Sequence, residues 1–435
     1  MTFSRIIAGH AVGAMLVFSG IITPACAQAP KVADADVVEA YDYMLARWLV
    51  LRQETLDFKA GFKWNVLVHD DDGHGGANPA LDVATSGAWI AVDETSCTLI
   101  DLPEIKGRYY NVEIVNGWGE VIDNINERTF PGHPSGTFAL CLNKANVALP
   151  AGAQRVEVAG NASRILVQIA LGADPAQGRA LQHAITLRPT GTPRIDEPPA
   201  LGPDFAHDAL PGVEAFDKTE AALEAEPDIN KGMAEPQGKA RAVAKAAADP
   251  AQRAHLDGVI RNQAIPAFLA EIPRIGRSVS GWIHPRLTGN YGSDYLMRSL
   301  VDYADIWANT PRENVRFDAT GFDGGQSYIE TFSQYGLPAA NARYAWSVTA
   351  YDSTSHRVLD NAQHRASLND RSGLKLNADG SLTIAFGPKP PNGVPQSNWL
   401  PTTAGQSYDL TYRFYGPSKE IILGRYYPPL LSIVP

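Results

Sequence analysis

Tyr408-Asp409-Leu410-Thr411-Tyr412-Arg413-Phe414-Tyr415 decides how this chain folds. Side chains on a strand alternate between faces, so Tyr408, Leu410, Tyr412 and Phe414 form an apolar row, and Asp409, Thr411, Arg413 and Tyr415 form the row behind it. Arg413 therefore points away from the larger apolar set. Around this strand lie Trp346-Ser347-Val348-Thr349-Ala350-Tyr351-Asp352, Leu374 to Phe386 through the turn at Asp379-Gly380, Asn398-Trp399-Leu400-Pro401 and Tyr426-Tyr427-Pro428-Pro429. Short runs rich in β-branched and aromatic residues, punctuated by Gly, Pro and Asn, predict an antiparallel β-domain over 276–435.

Upstream, the period changes. Asp294 caps a predicted helix running to Ile306, with Leu296, Leu300 and Tyr303 on one face. Residues 191–275 read as linker and helical bridge, the Pro- and Gly-rich linker being Arg188 to Pro211 and the bridge following it. The bridge opens on Asp217-Lys218-Thr219-Glu220, which resembles a capping box, continues through the Ala-rich 239–247, and starts again at Asp249-Pro250 towards Phe268, bent or broken at Pro266. Val37, Val38, Tyr41, Leu45, Trp48, Leu49 and Leu56 recur at helical spacing behind Asp34 or Asp36 as N-cap. An amphipathic helix over 34–58 is predicted, its apolar face packed on the bridge. Between them, 61–190 has period two: Tyr110, Val112 and Ile114 alternate with Tyr109, Asn111 and Glu113. Turns at Gly117, Gly119, Pro131 to Pro134 and Pro150 to Gly152 then separate the strands of a β-sandwich of about 120 residues. The fold class is mainly β with a helical segment.

With 435 residues the chain is long enough for several domains, and 45% hydrophobic and 19% charged residues are those of a folded chain. A formal charge of -10 offers no footprint for nucleic acid or anionic lipid. Residues 1–27 read as a signal peptide: Arg5 is the positive start, Ile6 to Ile22 is apolar but for His10 and Ser19, and Ala25-Cys26-Ala27 offers small residues for cleavage before Gln28. Thr23, three places before Cys26, is not the aliphatic residue of a lipoprotein signal. A periplasmic or secreted location follows, with no membrane span in the mature chain. Cys97 and Cys141 then remain, either joined in one disulfide or as two separate buried thiols.

Several clusters resemble known families. Ala88-Trp89-Ile90-Ala91, Gly107-Arg108-Tyr109-Tyr110, Asn116-Gly117-Trp118-Gly119 and Asn124-Ile125-Asn126-Glu127-Arg128 resemble DUF1254, a domain of unknown function. Gly289-Asn290-Tyr291-Gly292-Ser293-Asp294-Tyr295, Ile306-Trp307-Ala308-Asn309, Trp346-Ser347-Val348, Asp379-Gly380-Ser381-Leu382-Thr383, Asn398-Trp399-Leu400-Pro401 and Arg413-Phe414-Tyr415-Gly416-Pro417 resemble its companion, DUF1214. The resemblance implies an Ig-like sandwich first, a jelly-roll-like sandwich last, a helical piece associated with both, and bacterial export. It implies no reaction, cofactor or catalytic residue.

No nucleophile elbow, zinc helix, phosphate loop or dinucleotide fingerprint occurs, and no cofactor is called for. His69-Asp70-Asp71-Asp72-Gly73-His74-Gly75-Gly76 echoes half a calcium loop, but Leu81 stands where the bidentate Glu belongs, so it reads as a solvated acidic loop without metal. Arg365, Asn398, Trp399, Arg413 and Tyr415 are the candidate ligand-binding set: planar donors beside aromatics suit a sugar or carboxylate, while each alone also suits a turn or a core. Arg108, Tyr109, Tyr110 and Arg128 carry the same two readings, and Trp307 and Trp346 read as core. The expected function is binding of a small molecule or glycan at a domain junction. A hydrolase with residues drawn from separate strands, and a structural or assembly protein, are the alternatives.

Overall fold

The alternation on Tyr408 to Tyr415 is realised in a six-stranded sheet of the computed structural model, which describes residues 31–70, 76–195 and 201–434. That sheet runs β10 (Gly276–Val279), β11 (Trp282–Pro285), β12 (Asn314–Asp323), β18 (Ser407–Pro417), β14 (Ala342–Asp352), β15 (Ser367–Asn369). Its apolar row, Tyr408, Leu410, Tyr412 and Phe414, is buried against Trp346, Val348, Phe332, Ile384 and Leu400. The facing sheet is β17 (Trp399–Pro401), β16 (Leu382–Gly387), β13 (Tyr328–Phe332), β19 (Ser432–Ile433). Trp346 is therefore core, as its sequence context predicts.

The first sandwich pairs a five-stranded sheet, β1 (Val68–Asp70), β2 (Val83–Ala91), β8 (Ala162–Ala170), β4 (Tyr110–Val115), β5 (Val121–Ile125), with a four-stranded one, β7 (Gln154–Val158), β6 (Gly136–Leu142), β3 (Thr98–Leu102), β9 (Thr186–Pro189). Ile90, Val112, Ile114, Ile165, Phe138 and Leu140 fill the space between. Cys97 and Cys141 are joined in a disulfide beside the paired β3 and β6, which settles the two readings of these cysteines.

Helices lie between and beside the sandwiches: α1 (Asp34–Lys59), α2 (Pro175–His183), α3 (Thr219–Ala225), α4 (Ala234–Ala247), α5 (Pro250–Val259), α6 (Ile265–Glu271), α7 (Tyr295–Asp305) and α8 (Lys419–Ile422). α1 is not one-faced. Every residue from Tyr43 to Leu51 is buried, because α4, α5 and α7 and the Gly117-Trp118 turn enclose it, and Leu45, Trp48, Phe216, Val243, Ile260 and Leu300 share one core.

Three local details differ from the sequence reading. Ala33 stands at the N-cap of α1 without a side-chain bond, leaving Asp34 and Asp36 in the first turn, where they favour the positive end of the helix dipole. Asp217 caps nothing: a 3-10 turn, Val213–Lys218, leads into α3, and Asp217 instead binds Arg253. The helix does not break at Pro266. A π segment, Ile260–Ala264, precedes it, and this wider turn accommodates the missing N–H. The Asp249 and Asp294 caps form as predicted.

Val32–Pro435 makes one unit by its contacts. The predicted leader 1–27, residues 71–75 of the acidic loop and residues 196–200 of the predicted linker lie outside the described residues. Among the described residues no helix is long and apolar enough to cross a membrane.

Candidate functional site at the domain junction

The non-core face of the six-stranded sheet is polar. Register places Arg316 beside Arg413 and Arg413 beside Ser347, with Asp318, Thr411 and Thr349 as the next row. A sheet face of this kind stays buried only where a second surface satisfies it, and here the first sandwich supplies that surface. Arg413 donates to the Asn78 carbonyl and to Tyr351 Oη, and Tyr351 Oη donates to the Pro79 carbonyl. Tyr415 packs on Tyr109, ring centres 5.0 Å apart.

At the end of this face nearest α7 a small cleft of about 60 Å³ opens beside the junction. Ile275, Ile283, Val301, Ala304 and Ala308 form its apolar wall; His284, Thr288, Asp305, Asn309, Asn314, Arg316 and Asp318 supply the polar groups. Strand alternation on β12 brings Asn314, Arg316 and Asp318 to one side, while Val315, Phe317 and Ala319 enter the core. α7 brings Val301, Ala304 and Asp305 because they sit three and four residues apart.

Arg316 organises the charges. Its Nη1 lies 3.0 Å from Asp305 and its Nε 2.8 Å from Asp318, which also accepts from Thr411 Oγ1 at 2.7 Å. Burial works against its charge, but Asp305 and Asp318 outweigh it and hold the guanidinium more firmly protonated than a free one. A quarter of the Arg316 side chain (24%) still meets solvent, so the cluster is reachable.

His284 stands beside it. Its Nδ1 is 2.9 Å from the Arg316 carbonyl, an acceptor, so Nδ1 carries the proton and Nε2 is left as a lone-pair acceptor. Burial lowers the imidazole's affinity for a proton and nearby Arg316 adds to this, against the opposing effects of the carbonyl bond and Asp318. The ring is neutral at neutral pH.

Behind the cleft, an asparagine chain ties α7's end to the first sandwich. Asn309 and Asn124 exchange hydrogen bonds at 2.9 and 3.0 Å, Asn111 donates to Asn124, and Asn126 donates to Asn111. Glu113 lies next to them, 3% exposed, with Oε1 unpaired. Burial first, then Asp305 and Glu313, push its carboxyl well above the usual range, against a hydrogen bond from Asn309. Among the described residues no group of three His, Cys, Asp or Glu side chains is arranged to hold a metal ion.

The residues singled out from sequence fall in three places. Arg413 and Tyr415 lie on the polar sheet face at the junction. Asn398 and Trp399 serve the second sandwich: Asn398 accepts from Lys375 N and donates to the Lys375 and Thr383 carbonyls, and Trp399 Nε1 donates to Gly387 O. Arg365 donates to the Gln396 and Ser397 carbonyls on the same side, away from the cleft lining. Arg108 binds carbonyls of 170 and 171, and Tyr110 donates to Pro134. Trp307 is half-buried, its ring 5.9 Å from Trp89. His284, Asp305, Arg316 and Asp318 were not singled out. The polar side of Asn314-Val315-Arg316-Phe317-Asp318 was the signal for three cleft residues, since a charged row opposite a core row marks a covered polar face.

Residues 63–189 match the family model described as a protein of unknown function (DUF1254), and residues 312–419 match that described as a protein of unknown function (DUF1214). No curated protein matches the sequence. Among solved structures, the VPA0106 protein from Vibrio parahaemolyticus aligns over 93% of this chain and 100% of its own, with a TM-score of 0.63 and 17% identity. An uncharacterised protein from Burkholderia cenocepacia aligns over 92% and 95%, with a TM-score of 0.45 and 13% identity. The VPA0106 likeness extends to the fold. The chain thus carries a DUF1254 domain followed by a DUF1214 domain, matched in order across the two sandwiches.

Proposed function

We propose that the protein binds a small hydroxylated molecule, such as one unit of a glycan, in the cleft between α7, β11 and β12. The carrying observation is the Asp305–Arg316–Asp318 cluster, still open to solvent, beside a neutral imidazole and over an apolar wall. Fixed acceptors and donors above aliphatic contacts suit a ligand that alternates hydroxyl and C–H surface. Export supports an environmental or envelope ligand; the leader motif and the Cys97–Cys141 bond both favour an oxidising compartment. Sequencing the N-terminus of protein from the periplasmic fraction tests the location, with Gln28 expected first and an intact leader refuting it.

A thermal-shift screen against glycans, polyols and organic acids tests the binding. Asp305→Asn and His284→Ala are expected to abolish the shift of a responding compound while leaving unfolding cooperative. A flat response across the panel refutes the reading. Hydrolysis of the bound molecule is the second reading. It is favoured by His284 Nε2 as an acceptor near two carboxylates, the constellation that activates water. Product analysis on the responding compound decides it.

A further inference from the structure

A second depression lies where Arg128 of the first sandwich meets the 340–343 and 416–418 segments of the second. It is an open groove of about 320 Å³, and its charged lining is Arg128, Arg312 and Arg343, with no acidic side chain among the lining residues. In a chain of net charge -10 such a set is unusual. Tyr344 aligns two of the three: the Arg128 and Arg343 guanidinium carbons stand 5.1 and 5.0 Å from its ring centre. Gly416 makes room for this ring. Its φ is +61°, and a Cβ there would come within 2.7 Å of Tyr344 Cδ2.

The charges are not equally free. Arg128 pairs with Glu313 and, at 3.0 Å, with Glu127, both behind the lining, and its buried Nε has no partner. Arg312 and Arg343 are exposed and form no ion pair among the described residues. Two uncommitted guanidinium groups are thus held beside a third that two glutamates fix in place. Guanidinium forks match oxyanions, and each charge-assisted bond is stronger than a neutral one.

We propose that this groove binds the oxyanion of a small molecule, a phosphoryl or carboxylate group, through Arg312 and Arg343 with Arg128 as the fixed rear wall. The site goes beyond the cleft reading and does not depend on it.

The test is calorimetric titration of the full chain at constant ionic strength with inorganic phosphate, glucuronate and glucose. Phosphate, glucuronate or both are expected to bind saturably and glucose not to compete; which of the two binds tells phosphoryl from carboxylate. The R312A/R343A variant, altered only at exposed positions, is expected to keep its urea midpoint and bind at least about tenfold more weakly, the loss of one charged hydrogen bond. R312K/R343K is expected to recover part of the affinity. No saturable binding of either anion overturns the proposal, as does unchanged affinity in R312A/R343A. Neither result touches the cleft, whose ligands are read at His284.

Discussion

Replacing Arg298 with Met tests how α7 is seated, and so how the cleft wall is held. Arg298 is fully buried. Its Nη1 lies 2.9 Å from Asp228, whose side chain is also fully buried, and 3.5 Å from Glu120, and its guanidinium carbon stands 4.5 Å from the Trp118 ring centre. The residue thus joins α7 to the 226–230 turn and to the turn between β4 and β5. Met fills much of the same volume, so the main effect is electrostatic. Asp228 keeps hydrogen bonds from Tyr43 and Asn230 but loses its cation. Removing one partner of a buried pair costs about 3–5 kcal/mol. Two Arg298 nitrogens, Nε and Nη2, are buried without partners, which lowers the native contribution and favours the lower end, about 3 kcal/mol. Urea unfolding followed by tryptophan fluorescence measures it. Arg298→Met with Asp228→Asn is expected to lie closer to the parent than Arg298→Met alone, a coupling of about 1–3 kcal/mol. Strict additivity, or a single-variant loss below about 1 kcal/mol, refutes the account of this pair.

Stability is expected to fall as pH rises from about 5 to about 8. Burial, the largest cause, raises Glu226 to about 8 and Asp42 to about 7, so the native state keeps protons that the unfolded chain has already released. Glu226→Gln flattens that slope in urea midpoints taken across the range, and an unchanged slope counts against it. Replacing Cys97 and Cys141 with Ser removes a cross-link spanning 44 residues and is expected to cost about 2–4 kcal/mol, read from the urea midpoint of the oxidised parent against the variant. Arg413→Ala leaves the Asn78 carbonyl and Tyr351 hydroxyl without their donor, so a loss of about 1–3 kcal/mol is expected even if ligand binding also weakens.

The fold was legible wherever one side chain per period declares a face. Tyr408 to Tyr415, the alternation around Tyr110 to Ile114 and the caps at Asp249 and Asp294 each need only local information. Asp217 and the first turn of α1 show the limit. A carboxylate before a helix can cap it or can pair with a distant arginine, and Arg253 lies on another helix. Pro266 was read as a bend or a break because a π turn before it leaves no mark in composition. The candidate site was less legible for the same reason. Arg413 and Tyr415 were visible as a polar row, but His284, Asp305 and Arg316 come from a hairpin, a helix end and a strand, and only packing brings them together. Asn398 and Trp399 stood out as rare residues in a motif, and their hydrogen bonds go to Lys375, Thr383 and Gly387, where they hold turns of the second sandwich.

The imidazole of His284 is the most direct reporter of the cleft. Its resonances can be assigned in heteronuclear NMR spectra by their loss in His284→Gln, then followed while compounds from the thermal-shift screen are added. The account predicts that a stabilising polyol or glycan shifts the His284 signals saturably, with the same midpoint as the stabilisation, and that Asp305→Asn removes both. A compound that stabilises the protein while His284 stays unmoved would place binding elsewhere and contradict the assignment of the cleft.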